Sequence, residues 1–73
     1  MIEELWRSPD GYMDIIYVRC HGKIWYRFGE SARGERDTWD TAFSTFDPKY
    51  DVRVTLDDLT PNERVWVMEL LLL

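Results

Sequence analysis

Cys20 and His21 are neighbours in the chain, and each is the only residue of its type. A thiol beside an imidazole could serve nucleophilic catalysis or a metal, so each chemistry has to be weighed. Nucleophilic catalysis needs the two side chains facing each other within hydrogen-bond reach. Neighbours on a strand project to opposite faces, so this dipeptide is badly placed for it. Zinc takes four ligands, mostly Cys and His. Carboxylates would have to complete the set, and none stands at a spacing that suggests it. A turn histidine beside an ordinary thiol is the reading that remains, with no metal and no cofactor expected.

Carboxylates are the other reactive groups. Fourteen Asp and Glu stand against nine Lys and Arg, for a net charge of −5. They cluster at Glu3–Glu4, Asp37–Asp40, Asp47–Asp51 and Asp57–Asp58. A general acid–base pair is recognised by a cleft and by perturbed ionisation. A chain of 73 residues rarely encloses a substrate pocket of the usual several hundred Å³, so an enzyme is not expected. Carboxylates along one element can instead imitate a row of phosphates and occupy a basic cleft, or simply form a solvated acidic surface.

Arg19, Lys23 and Arg27, with Tyr17, Trp25 and Tyr26 nearby, give a basic and aromatic hairpin of the kind that can stack bases. The same cations could equally lay their stems over the aromatic faces. Phosphate contacts supply most nucleic-acid affinity and call for a basic excess. With −5 overall, nucleic acid is not the expected partner. A protein with a basic surface is.

These residues need elements to position them. Ser8-Pro9-Asp10-Gly11 has turn chemistry at every position and separates Ile2–Arg7 from Tyr12–Arg19, which predicts a first hairpin with Gly11 at positive φ, the alternative being a short helix begun by Glu3 and Glu4. His21-Gly22 suits a two-residue type I′ turn. That register pairs Ile15 with Phe28, Tyr17 with Tyr26 and Val18 with Trp25. One face then carries Met13, Ile15, Tyr17, Ile24, Tyr26 and Phe28, and the other Ile16, Val18, Trp25 and Arg27, so both faces call for cover.

Gly29–Arg36 is charged, lacks an apolar anchor and reads as a mobile loop. Asp37 can cap a short helix carrying Trp39, Ala42, Phe43 and Phe46 at helical spacing, ended by Asp47-Pro48. Val52, Val54 and Leu56 alternate with polar residues as a further strand. Thr60, Pro61 and Glu63 form a capping box with proline and start a last helix. The fold expected is α+β: a three-stranded antiparallel meander plus one later strand, packed with two helices, in a single domain over 1–73.

The last helix carries more apolar surface than one sheet can shelter. Val65, Met68 and Leu72 form one stripe, Trp66, Leu70 and Leu73 a second, and Val67 with Leu71 a third. Val65 and Met68 are expected in the core. Some of Val67, Leu70, Leu71 and Leu73 are then expected in solvent, either as a docking surface or as residues that fill a small core from several sides.

One cysteine excludes an intramolecular disulfide. The start MIEELWRSPD shows no export signal, and no apolar run reaches the roughly 18 residues a membrane span requires. A cytoplasmic setting is expected.

From MIEELWRSPDGY onward, the chain resembles in size and charge the small acidic regulators that bacteriophages direct at host machines. The group it most resembles is the phage-encoded regulators that bind bacterial RNA polymerase. That resemblance implies a non-enzymatic protein of the host cytoplasm that docks on polymerase and inhibits or alters transcription, antitermination included. The family has no signature motif, so no residue role carries over. The expected function is therefore non-catalytic regulation of a larger host complex. Two alternatives stand beside it: a nucleic-acid mimic that inhibits a nuclease or CRISPR effector, and a subunit that self-assembles as a homodimer through its last helix. The partner-binding residues selected are Trp25, Arg27, Asp57, Asp58, Leu70, Leu71 and Leu73.

Overall fold

The computed structural model of the chain describes residues 1–8, 14–32, 38–41 and 47–73. Its elements run β1 (Glu4–Arg7), β2 (Ile15–Cys20), β3 (Lys23–Phe28), β4 (Asp40–Thr41) and β5 (Val52–Arg53), followed by a 3-10 turn (Leu56–Asp58) and α1 (Pro61–Leu71). The strands form one antiparallel sheet in the order β4-β3-β2-β1-β5.

The β2–β3 hairpin follows its turn chemistry. His21 and Gly22 hold φ of 53° and 72°, the pair of left-handed residues a type I′ turn requires. The register is the expected one, with Ile15 opposite Phe28, Tyr17 opposite Tyr26 and Val18 opposite Trp25. β1 pairs antiparallel with β2, and the Ser8 N–H donates to the Ile15 carbonyl at 2.9 Å. The turn residues Pro9, Asp10 and Gly11, with Met13, lie outside the described residues.

Two expectations are corrected. The helix expected after Asp37 is not present where the chain is described: Asp40–Thr41 is extended and pairs with Trp25 and Tyr26 of β3. Hydrogen bonding along the β3 edge wins over the helical spacing there. Asp37, Ala42, Phe43 and Phe46 lie outside the described residues. The fold therefore has one described α-helix plus a 3-10 turn, and five strands instead of four. The later strand is also shorter than its alternation suggested. The paired register with β1 covers Val52–Arg53, the Val54 N–H still donates to the Leu5 carbonyl at 3.0 Å, and Leu56 already belongs to the 3-10 turn.

The sheet buries one face under α1. Leu5, Ile16, Val18 and Cys20 meet Leu59, Val67 and Leu70 in a core from which solvent is all but excluded. Burial also pushes the Cys20 thiol above its ordinary pKa, as expected of an inert thiol in apolar surroundings. His21 Nε2 donates to the Leu70 carbonyl at 3.0 Å and ties the hairpin tip to the last turn of α1.

On the opposite face the register aligns Arg53, Trp6, Tyr17, Tyr26 and Asp40 in one row across all five strands. Beside it the Glu4 carboxylate accepts from Arg19 Nε and Trp6 Nε1, both at 2.9 Å. Tyr17 is buried within this row and Trp6, Ile15, Tyr26 and Phe28 around it are half-buried, so this face is partly covered.

Candidate docking surface and the ion cluster that orients it

The rotation of α1 about its axis is set by charged residues. Arg7 on β1 reaches toward Asp14 just before β2 and toward Glu63 in the first turn of α1. Its Nε and Nη2 donate to the two Asp14 oxygens at 2.7 and 2.6 Å. Nη1 and Nη2 donate to the two Glu63 oxygens at 2.9 and 2.7 Å. The Glu63 carboxylate also accepts from the Thr60 N–H at 2.9 Å and from the Glu30 N–H at 2.8 Å. Its four lone-pair sites are thereby filled. Asp14 takes a third bond, from the Ser31 hydroxyl at 2.5 Å.

Burial pushes the Asp14 and Glu63 carboxyls up, but hydrogen bonds from Arg7, from Ser31 to Asp14 and from the Thr60 and Glu30 amides to Glu63 outweigh it. Both sit below the ordinary carboxylate range. Hydrogen bonds to Asp14 in turn hold the guanidinium charged more firmly than usual, against the opposing effect of burial. The Glu63 carboxylate, saturated in this way, has no lone pair left for a metal or a substrate proton. The cluster is a staple joining β1, β2, the segment after β3 and α1.

The start of the segment after β3, expected as a mobile loop without an apolar anchor, is drawn into the staple by polar contacts of Gly29, Glu30 and Ser31. Gly29 is buried, and its N–H donates to the Asp14 carbonyl at 2.7 Å. The Glu30 carboxylate accepts from Asn62 Nδ2 at 2.9 Å and from the Thr60 hydroxyl, which binds it to the start of α1. Residues 33–36 lie outside the described residues.

With Glu63 fixed toward the sheet, the buried stripe of α1 follows from helical spacing: Glu63, then Val67, then Leu70. This reverses the expected orientation. Val65 and Met68 are 55% and 52% exposed, and Leu72 and Leu73 are 86% and 78% exposed. Leu70, expected as a contact residue, is a core residue at 1% exposure. Leu71 is half-buried and packs against the core. Of the C-terminal residues selected from sequence, only Leu73 faces solvent.

Trp25 and Arg27 are half-buried on the helix-facing side of β3. The Trp25 indole N–H donates to the Cys20 carbonyl at 3.2 Å. The Arg27 guanidinium stacks 3.8 Å from the centre of the Trp66 ring. Trp39 Nε1 donates to the Trp66 carbonyl at 2.9 Å, which adds a third tryptophan to this seam. Arg19, Lys23 and Arg27 do not share a face: Arg19 pairs with Glu4, while Arg27 and Lys23 lie over Trp66 and Trp25. The hairpin thus offers no continuous basic track for a phosphate backbone.

Asp57 and Asp58 are exposed in the 3-10 turn that precedes α1. The Asp58 carboxylate accepts from the Thr55 N–H at 2.8 Å and from its hydroxyl at 3.1 Å, and so caps that turn. The surface residues the sequence reading missed are Val65, Met68 and Leu72. The capping box was the available signal. It placed Glu63 at a fixed helical position, and pairing that acid with a core-directed arginine would have set the phase of the stripe.

Among the described residues no group of three or more His, Cys, Asp or Glu is placed to hold a metal ion, and no helix is long and apolar enough to cross a membrane. No protein-family model, curated protein or solved structure matches the chain.

Proposed function

We propose that this is a non-catalytic binding protein that docks on a larger host complex through the outward face of α1 and regulates it. The observation that carries the reading is the exposure of Val65, Met68, Leu72 and Leu73 along one helix and its C-terminal end. A contiguous exposed apolar surface on a small domain commonly marks a contact site. The tryptophan and arginine seam of Trp25, Arg27, Trp39 and Trp66 borders α1, and these residue types dominate interface energetics. The ion cluster supports the reading as well. It holds the helix in the one rotation that points a ready apolar stripe outward, so little ordering is left to accompany binding. The resemblance in size and charge to phage-encoded regulators makes bacterial RNA polymerase the particular partner proposed, in the host cytoplasm.

The experiment is affinity capture from bacterial lysate with the tagged chain and with Met68→Asp in parallel. Polymerase subunits retained by the native chain and lost with the variant are the expected result. A nuclease or CRISPR effector in the eluate would move the reading to nucleic-acid mimicry. Recovery of the chain's own copies alone would move it to self-assembly. Equal retention of polymerase by both chains would remove the outward face of α1 from the interface.

A further inference from the structure

We propose that the occupant of this outward face is a basic amphipathic helix of the partner. The proposal rests on the docking reading above and names the chemistry of what docks. Val65, Met68 and Leu72 stand at i, i+3 and i+7, so their side chains form a continuous ridge. Such a ridge is the natural counterpart of the groove between side chains of a second helix. Met68 sits at its centre, where an unbranched thioether adapts to an irregular partner surface.

Charge selects which helix. Glu69 is exposed and lies about 40° round the helix from Val65, on the rim of the ridge. Asp57 and Asp58 are exposed immediately before its N-terminal end. Among the described residues no salt bridge neutralises Glu69 or Asp57. On the other rim Arg64 is turned inward, its Nη1 donating to the Leu59 carbonyl at 2.8 Å. The residues that α1 and the turn before it place around the ridge are therefore acidic, with Arg64 turned inward and Arg27 engaged on the Trp66 ring, in a chain of net charge −5. An apolar stripe flanked by Lys or Arg complements it.

A second copy of the chain does not. Antiparallel pairing of two α1 helices about a two-fold axis lays like flank on like flank and sets Glu69 against its own copy. Parallel pairing gathers the Asp57–Asp58 pairs of both copies at one end. Like charges so opposed are destabilising. An anionic bilayer is repelled by the same acids.

The test is an amide NMR titration of the full chain with a synthetic Leu/Lys amphipathic helix of about 14 residues, long enough to hold helical structure once docked. Controls are a scrambled peptide of equal composition, a Leu/Glu helix and phosphatidylserine vesicles, with sedimentation of the chain alone. The Leu/Lys helix is expected to shift the amides of Val65, Met68, Glu69 and Leu72. Met68→Asp should weaken binding by about tenfold or more, as for a central contact. Glu69→Gln should weaken it by about two- to fivefold, as for a rim charge. The dispersed spectrum of each variant reports that it remains folded. Absence of α1 shifts, equal binding of the scrambled or Leu/Glu peptide, preferential binding to vesicles, or dimerisation through α1 would each overturn the proposal. If lysate capture depends on Met68 but the Leu/Lys helix does not bind, the docking face stands and its proposed occupant falls. If neither depends on Met68, both fall.

Discussion

Arg7 on β1 and Glu63 on α1, 56 residues apart in sequence, are joined by two hydrogen bonds of 2.9 and 2.7 Å. That ion pair decides which side of the last helix meets the sheet. Everything proposed for the outward face depends on it, because turning α1 by half a revolution would bury Val65 and Met68 instead.

Removing the cation should therefore be costly. Arg7→Met leaves the buried Asp14 and Glu63 carboxylates together without their shared partner. A loss of about 3–5 kcal/mol is expected, as for buried pairs broken on one side. The value should fall toward the lower end because the Arg7 side chain is 21% exposed. Urea unfolding near neutral pH measures it. A loss below about 1 kcal/mol, the size of a surface pair, would show that apolar packing alone holds the helix.

The same cluster predicts acid lability. Asp14 and Glu63 have folded pKa values below their unfolded ones. Their contribution to stability is thus complete above the unfolded values, near pH 4, and is lost as pH falls through the folded values. Stability against pH should be flat between about pH 5 and 7 and fall steeply below about 4. Glu63→Gln should lower the plateau and flatten the fall. An unchanged acid slope in that variant would contradict the assignment.

Two glycines separate backbone strain from crowding. Gly22 has φ of 72° and open space around a would-be Cβ. Gly22→Ala should cost on the order of 1 kcal/mol through the left-handed backbone alone. Gly29 is not at positive φ, but a Cβ there would lie 2.4 Å from an Asp14 oxygen, 2.7 Å from Arg7 Nη2 and 2.8 Å from a Glu63 oxygen. Gly29→Ala should cost more, about 1–3 kcal/mol or above, and should disturb the acid transition. Thermal melting of the two variants checks the order, and equal costs would argue against a tight cluster.

Much of the sheet was legible because its signals are local. His21-Gly22 specified its own turn and thereby the register of six residue pairs. Thr60, Pro61 and Glu63 specified the start of α1 in the same way. What misled was a charge in the core. Glu63 occupies the position an apolar residue usually takes, so the buried stripe Glu63–Val67–Leu70 did not read as one, and Val65 with Met68 took its place. Its partners Arg7, Asp14 and Glu30 come from distant segments, and no short-range pattern announces their meeting. The extended backbone at Asp40–Thr41 was hidden for a related reason. Pairing with β3 is a tertiary interaction, whereas the spacing of Trp39, Ala42, Phe43 and Phe46 is a local one.

The C-terminal leucines should now divide by position. Leu70→Ala is expected to cost about 2–5 kcal/mol, as for a buried leucine whose cavity cannot collapse fully. Leu72→Ala and Leu73→Ala should each stay within about 0.5 kcal/mol of the native chain. Urea unfolding of the three variants reads the difference. Comparable losses at all three would mean that the end of the helix fills the core from several sides.

The most direct measurement compares thermal unfolding and binding to purified bacterial RNA polymerase for the native chain and Met68→Asp. Met68 is 52% exposed, so an aspartate there should leave the melting temperature within a few degrees of native, about the shift a surface substitution causes. Binding should fall by about tenfold or more if α1 is the docking face. A variant that melts as the native chain does and binds polymerase with native affinity would contradict docking through this helix.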